Sequence, residues 1–539
     1  MTSTVTTTTA VPSQSAWADD ASWPEEPTGP PVPAEEELRA LPPRKPRVDI
    51  TNEAESFERL LRVMSSPDVP RLYVRSGGLN WITSDDKGEP SIHRLNSDNL
   101  LSWFAEHVET FAMRPSGRGK NAELVEVRQY PSGRTCSAIL GREKWRLSKL
   151  AGVVTAPVLR EDGTLLEQPG FDPTTGLFLF PRLSSTLPVP AQPTTKDVEE
   201  ARNLLLLMLS GFPWVAASDQ AQYLALALAP ILRHSIPCPT PMGLITATTM
   251  GSGKSYLTFL FERLYGMGTL PWPRDNSDEL RKAITTKLTQ TGSPAICFDN
   301  VDNGGTLKSP LLADLLTKRY WEDRILGSTA NIGAPNDRLW LATGNNLRTG
   351  GDMSRRVLWV RLDPDCPNPD QRDNFAIGDF VVWVRKNDAK ILRALLVLVL
   401  GWVQAGSPLR TVKMGGYSEW ATAMAGLLDW AGIPGFMADR ASTSLELDEE
   451  VGEWHPLLAT WYRVFGNSPK STKELLQHSD INEDMPLTNR NERPVPRQLG
   501  QWLNARMGRY YGEYRVVRHP GPANAGALWS VSRLGDKKD

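Results

Sequence analysis

Hydrophobic spacing along the chain changes character more than once. "ESFERLLRVM" (Glu55 to Met64) sets apolar residues three and four apart, which predicts a helix with one buried face. "RLYVRSGGLNWIT" predicts two short strands around the turn Ser76-Gly77-Gly78, and "NLLSWFAEHVETF" a second amphipathic helix. "AGVVTAPVLREDGTLLEQPGFDPTTGLFLF" predicts strands separated by Asp162-Gly163 and Pro169-Gly170. From Val198 longer apolar runs appear. "VEEARNLLLLMLSGF" and "DQAQYLALALAPILRHS" predict buried helices, and "MGLITAT" a buried strand. Helical "KSYLTFLFERLYG" and "SDELRKAITTKLTQ" precede a second buried strand, "PAICFDN". "DRILGST", "DRLWLAT" and "RRVLWVRLD" are expected strands. Strands alternating with helices imply a parallel sheet covered on both faces. Helices dominate again to about Trp430, and the end predicts a small unit of helices with a final strand pair.

Composition sets the boundaries. A chain of 539 residues suggests several domains of roughly 150 residues each. Residues 1–48 hold nine prolines, and Met1 to Leu38 carries seven acids with no Lys or Arg. Such a segment buries too little apolar surface to offset its chain entropy, so a disordered tail is expected. An α+β accessory domain is expected over 49–186, a Pro-rich linker over 187–197, an α/β core over 198–410, a helical connector over 411–450 and a small domain over 451–539. Basic and acidic residues number 60 and 62, a net charge of −2. No whole-molecule field draws the chain to nucleic acid, so any such contact must come from local clusters. One is Arg114 to Lys149, with nine Lys/Arg against three Glu. Cys136, Cys238, Cys297 and Cys366 are far apart, which excludes a zinc ribbon or CxxC centre and suits a reducing compartment. There is no basic-then-apolar leader, and the most apolar stretch, Ile391 to Val403, has 13 residues. That is short of the roughly 18 to 20 that span a bilayer. The expectation is a cytoplasmic protein without a membrane segment.

The chemistry concentrates after "MGLITAT". Thr248-Thr249-Met250-Gly251-Ser252-Gly253-Lys254-Ser255 follows a strand and opens a helix. A phosphate-binding loop needs that context: glycines let backbone N–H groups turn inward, and the helix start favours negative charge. Thr249 to Ser255 are the candidate nucleotide contacts. Lys254 would reach the β- and γ-phosphates of ATP, and Ser255 would ligate Mg²⁺. The motif's first glycine is replaced by Thr248. Asp299, at the end of "AICFDN", is placed to hold the metal through its water shell. Asn300 follows it where many such ATPases have a second acid, and Asp302 lies two further on. "LATGNN" puts Asn345 at another strand end, and Arg355-Arg356 begin a further strand. A guanidinium supplied to a neighbour's γ-phosphate stabilises transition-state charge.

This order of motifs resembles the AAA+ ATPases, and more narrowly the superfamily 3-type helicases of phages, plasmids and mobile elements. "KRYWEDRILGS" is also similar to that family, and "APVLREDGTLLEQPGFDPTTGLF" resembles the segment before the motor in phage primase–helicases. The resemblance implies an AAA+ P-loop ATPase core. It implies nucleotide and Mg²⁺ at Lys254 and Ser255, Asp299 as the metal-holding acid, Asn345 as the sensor, and Arg355 or Arg356 as the finger. It further implies a homo-hexameric ring, each site completed by the next subunit, acting on single-stranded or forked DNA beside a primase or other replication proteins. The family's DNA-gripping hairpin would turn at "TANIGAPND" (Thr329 to Asp337), which has no Lys or Arg and leaves Arg324 or Arg338 as neighbours.

At the other end, helix Arg497 to Met507 and strands "YRVVRH" and "ALWSV" resemble a winged-helix domain. Arg490 to His519 holds seven Arg (Arg490, Arg493, Arg497, Arg506, Arg509, Arg515, Arg518) against two Glu, a local +5 suited to phosphate contact. Tyr510, Tyr511 and Tyr514 are expected to be partly core. No primase signature is visible in the first half; Asp85-Asp86 reads as a turn. The leading function is a DNA-dependent ATPase and helicase. The alternatives are an AAA+ switch or loader that remodels a partner, favoured by Asn300, and a non-enzymatic DNA-binding initiator.

Overall fold

Thr194 and Asp197 form a capping box that starts helix α1, Thr195–Leu209. The helix therefore begins three residues before Val198, inside the expected linker, because Thr194 satisfies N–H groups that Pro-rich chain cannot. Helix α2, Ala217–Leu232, is buried almost throughout. Strand β1, Met242–Ala247, follows and is fully buried. Next come α3 (Lys254–Tyr265), β2 (Met267–Pro271), α4 (Ser277–Gln290) and β3 (Ala295–Val301). Helix α5 (Pro310–Thr317), β4 (Leu339–Asn345) and β5 (Val357–Leu362) complete the sheet region. Helices α6 (Phe380–Gln404) and α7 (Ser418–Trp430) follow.

The structure, a computed structural model, describes residues 45–536 apart from 86–87, 118–122, 185–186, 273–275, 291, 325–330, 367, 373–374, 488–491 and 522–525. The expected acidic tail to residue 44 and Arg490 lie outside the described residues.

The five strands are parallel in the order β2-β3-β4-β1-β5. Side chains alternate across the sheet. Met242 and Leu244 join one core with Leu280, Ile284 and Leu288 of α4 and Leu312, Leu315 and Leu316 of α5. Ile245 and Ala247 join the opposite core with α1, α2, α3, α6 and α7. Both faces are thus covered, as the continuous apolar runs require. Gly243 allows α2 to approach: a Cβ there would lie 2.5 Å from Leu226. The apolar run Ile391 to Val403 lies inside α6, and no helix of the described residues is long and apolar enough to cross a membrane. Tyr417, Trp420, Met424 and Phe436, from the expected connector, are buried in the same core as α2 and α6.

Before the five-stranded unit, the described residues form three small three-stranded sheets, two of which pack with helices Glu53–Val63, Ser97–His107 and Gly133–Leu140. The second of these helices ends at His107, and Glu109–Ser116 is a strand. The helical expectation for "VETF" fails because Val108 is extended and Glu109 to Phe111 pair with Arg47 to Asp49. Asp85 does form a turn, accepting from Glu89 N–H at 2.9 Å. This half touches the parallel-sheet unit directly. Arg75 donates to the Leu288 and Thr289 carbonyls at 3.3 and 3.4 Å, and Thr155 Oγ1 to the Tyr265 carbonyl at 2.6 Å.

Strand β2 is unforeseen in the sequence. The expected turn Thr329 to Asp337 is also corrected: Asn331–Pro335 is a strand, paired antiparallel with Tyr320–Arg324. The hairpin's connection falls in 325–330, outside the described residues. Helix α8 (Arg440–Leu447) leads into α9 (Glu449–Phe465). The terminal unit then adds helices Thr472–Gln477, Ser479–Glu483 and Pro496–Ala505 and a sheet of Tyr510–Tyr511, Tyr514–His519 and Leu528–Arg533. Trp454, Trp461, Leu499, Leu503, Val516 and Val531 form its core.

Candidate functional site

After β1 the chain turns through Thr248–Gly253 before Lys254 opens α3. Gly251 and Gly253 have φ of +75° and +99°, a region that favours glycine. Ser252 Oγ donates to the Thr249 carbonyl at 2.7 Å and closes the loop from within. Thr248 keeps a negative φ, so the position needs no glycine. Its hydroxyl donates to Asp363 Oδ1, just past β5, at 3.0 Å. Met250 is 79% exposed and Ser255 lies at the surface.

Three neighbouring strands bring the polar groups together. Asn345, the last residue of β4, pairs in register with Ala247 of β1. Lys254 Nζ donates to Asn345 Oδ1 at 2.5 Å. Loss of solvent lowers the Lys254 pKa, and the charge of Asp299 raises it again in part. Asp299 Oδ1 accepts from Thr343 Oγ1 at 2.6 Å, and the same hydroxyl accepts from Asn300 N–H at 2.9 Å. Asn300 sits at φ +54°, where the pairing of β3 with β4 shifts between Phe298 and Val301. Asn adopts that left-handed conformation more readily than most residues with a side chain. Asn346, also left-handed, donates to the Thr248 carbonyl at 3.2 Å and to Asn303 Oδ1 at 3.0 Å. It links the loop before α3 to the segment after Asp299.

Beside the loop opens a cleft of about 440 Å³, lined by Gly251 to Ser255 and by Phe212, Tyr256, Arg372, Phe375 and Phe380. Phe380 meets Phe212 edge-on at 5.2 Å and Tyr256 at 5.7 Å. Arg372 donates to the Gly211 carbonyl at 3.1 Å and lies over the Phe375 ring. These residues come from separate segments and form no motif, so sequence reasoning missed them. It also missed Thr343 and Asn346, although both stand within "LATGNN".

The arginine pair divides. Arg356 is nearly enclosed and donates to the Ala313 carbonyl at 3.0 Å and the Asp352 carbonyl at 2.8 Å. Arg355 is exposed, 2.8 Å from Asp352. Neither lines the cleft beside Gly251 to Ser255. Arg324 is exposed, whereas Arg338 is buried against Asp337 at 2.9 Å and is not available to a strand of DNA.

The C-terminal arginines also split. Arg493, Arg497 and Arg518 are exposed, Arg518 reaching Asn504 at 3.4 Å. Arg506 stacks on Trp454 at 4.5 Å, Arg509 pairs with Glu450, and Arg515 donates to Ser532 at 2.9 Å. Tyr511 and Tyr514 are buried and Tyr510 is 41% exposed.

No protein-family model matches the chain, and no curated protein does. Among solved structures it is similar to the apo C-terminal region of NrS-1, at 10% identity over 85% of this chain and 96% of that one, with a TM-score of 0.31. It is similar to SCCmec type IV Cch, described as an active helicase, at 12% identity over 86% and 97%, with a TM-score of 0.33. It is also similar to the JCV helicase, at 13% identity over 49% and 71%, with a TM-score of 0.22.

Proposed function

We propose that this chain is an ATP-dependent DNA translocase and helicase of the AAA+ superfamily 3 type, working as a homo-hexameric ring in the replication of a phage or mobile element. The observation that carries the reading is the convergence of Lys254, Asn345 and the Thr343-held Asp299 at the ends of adjacent parallel strands. Ligands of open parallel sheets bind outside the carboxyl ends of the strands.

The residues fit a nucleotide. Gly251 and Gly253 supply backbone freedom, α3 begins with N–H groups that lack helical partners, and Lys254 is the adjacent cation. Ser255 and Asp299 would hold Mg²⁺, which neutralises charge between the phosphates. Asn345, already hydrogen-bonded to Lys254, orients water at the γ-phosphate. Arg355 is the exposed finger offered to the neighbouring subunit, and Arg356 anchors it to the chain through Ala313 and Asp352. The aromatic cleft takes the base. The terminal unit acts as a winged-helix-like DNA-binding domain, with Arg493, Arg497 and Arg518 as phosphate contacts. A primase or another replication protein is a further partner.

The test is ATP-driven separation of a forked DNA duplex. The expected result is unwinding by the wild type and none by Lys254→Ala. A protein that hydrolyses ATP yet never separates strands would replace this reading with the switch or loader. Asn300 favours that second reading, because no acid stands directly beside Asp299.

A further inference from the structure

A second cleft, of about 500 Å³, lies where the motor meets the terminal unit. It is lined by Arg355 just before β5, Trp359 within it, Arg440 at the start of α8, and Arg509 and Tyr510 of the terminal sheet region. The three arginines differ in how they are neutralised. Arg509 pairs with Glu450, and Arg355 pairs with Asp352 at 2.8 Å. Both Arg355 and Asp352 are more than half exposed, so that pair is easily exchanged for a stronger acceptor.

Arg440 is different. It is half-buried, and among the described residues its hydrogen bond is a long one, 3.5 Å to the Arg355 carbonyl. Burial pulls its pKa below the usual arginine value, with no carboxylate to offset the loss of solvent. The acids that line the cleft are committed elsewhere. Asp439 binds Arg361 and accepts from Thr443 Oγ1 at 3.1 Å. Asp448 caps α9, accepting from Glu450 and Val451 N–H at 3.0 and 3.2 Å. Asp352 holds Arg355. Ser354 lines the same cleft, and its hydroxyl has no hydrogen-bond partner among the described residues. A guanidinium taken out of water without an anion is costly. Its planar fork suits the paired oxygens of a phosphate.

We propose that Arg440, with Arg355 and Arg509, forms a phosphate-binding site in this cleft. The site stands on these contacts alone; only the origin of its phosphate rests on the function proposed above. One origin is the terminal phosphate of a neighbour's nucleotide. The other is a backbone phosphate of DNA held by the terminal unit.

The experiment uses the full chain carrying Lys254→Ala, so that the phosphate loop contributes little. Inorganic pyrophosphate is titrated and binding is read by calorimetry. Binding is expected, and adding Arg440→Gln should weaken it by about tenfold or more, since it removes a charge-assisted fork. Adding Arg355→Gln, at an exposed position that cannot unfold the chain, should weaken it by a smaller factor. No pyrophosphate binding by Lys254→Ala, or equal binding with and without Arg440→Gln, overturns the site. Two further arms, in the Lys254 wild-type background, assign the origin. If Arg440→Gln lowers kcat for ATP with KM unchanged, and mixing with Lys254→Ala subunits restores turnover, the phosphate is the neighbour's. If it instead weakens single-stranded DNA binding and lowers the salt slope by about one, the phosphate is DNA's. Arg440-dependent pyrophosphate binding with neither effect would uphold the site and overturn both origins assigned to its phosphate, and with them the link to the function proposed above.

Discussion

Thr343 holds two neighbours at once: its hydroxyl donates to Asp299 and accepts from Asn300 N–H. The carboxylate is thereby aimed, and the left-handed Asn300 is fixed behind it. Thr343→Val keeps the shape of this buried side chain and removes both bonds. Turnover of ATP should fall by about 10- to 100-fold, as for other residues that orient a metal-holding group, with KM little changed. Unchanged kcat would show that Asp299 needs no such support. Thr248 shows why motif spelling and loop geometry are separate matters. Its φ is negative and its hydroxyl is satisfied by Asp363, so the missing glycine leaves the loop intact. Arg355 and Arg356 are adjacent in sequence, yet one faces solvent and the other is taken up by backbone carbonyls. Nothing in the dipeptide distinguishes them; the difference comes from α5, which lies next to only one.

The elements that were legible in the sequence are those with apolar runs or helical spacing: Glu53–Val63, α1 to α4, α6 and strands β1, β3, β4 and β5. Burial on all sides writes itself into continuous hydrophobicity. Strand β2, "MGTLP", is short and half-exposed, so its pairing with β3 left no periodic trace. Strand Asn331–Pro335 reads as a turn because it contains Asn, Gly and Pro, and only its partner Tyr320–Arg324 makes it a strand. The aromatic cleft was illegible for the same reason, since Phe212, Tyr256 and Phe375 meet only in the fold. Edge strand β5 is secured by the ion pairs of Arg361 with Asp219, Asp439 and Glu446. Arg361 meets Asp219 of α2 at 3.0 and 3.1 Å, and Arg361 N–H donates to the same carboxylate at 2.9 Å. Asp219 is fully buried. Asp219→Asn removes the fully buried counter-charge, leaves the guanidinium only Asp439 and Glu446, and should cost about 3 kcal/mol in a urea titration. A loss within experimental error of zero would mean that Asp439 and Glu446 suffice for Arg361.

Across the whole molecule the first half and the parallel-sheet unit share a polar contact. Arg75 reaches the end of α4, and nearby His234 is surrounded by Asp337, Arg233 and Arg338. Loss of solvent, opposed in part by Asp337, pushes the His234 pKa down to about 4. An unfolded histidine titrates near ~6.5. Between these values the unfolded chain holds a proton that the folded chain refuses. His234 therefore lowers stability as the pH falls from about 6.5 towards 4 and is neutral in effect above that window. In His234→Gln the dependence of unfolding free energy on pH should flatten there by about one proton; an unaltered slope would place the ring in water. The proposed ring, finger and DNA-binding terminal unit all presuppose one activity, hydrolysis of ATP coupled to DNA. Steady-state ATP hydrolysis by the purified protein, with and without single-stranded DNA, tests that most directly. The account predicts turnover that DNA stimulates and that Lys254→Ala abolishes. A wild-type protein that binds ATP and turns it over under neither condition would contradict it.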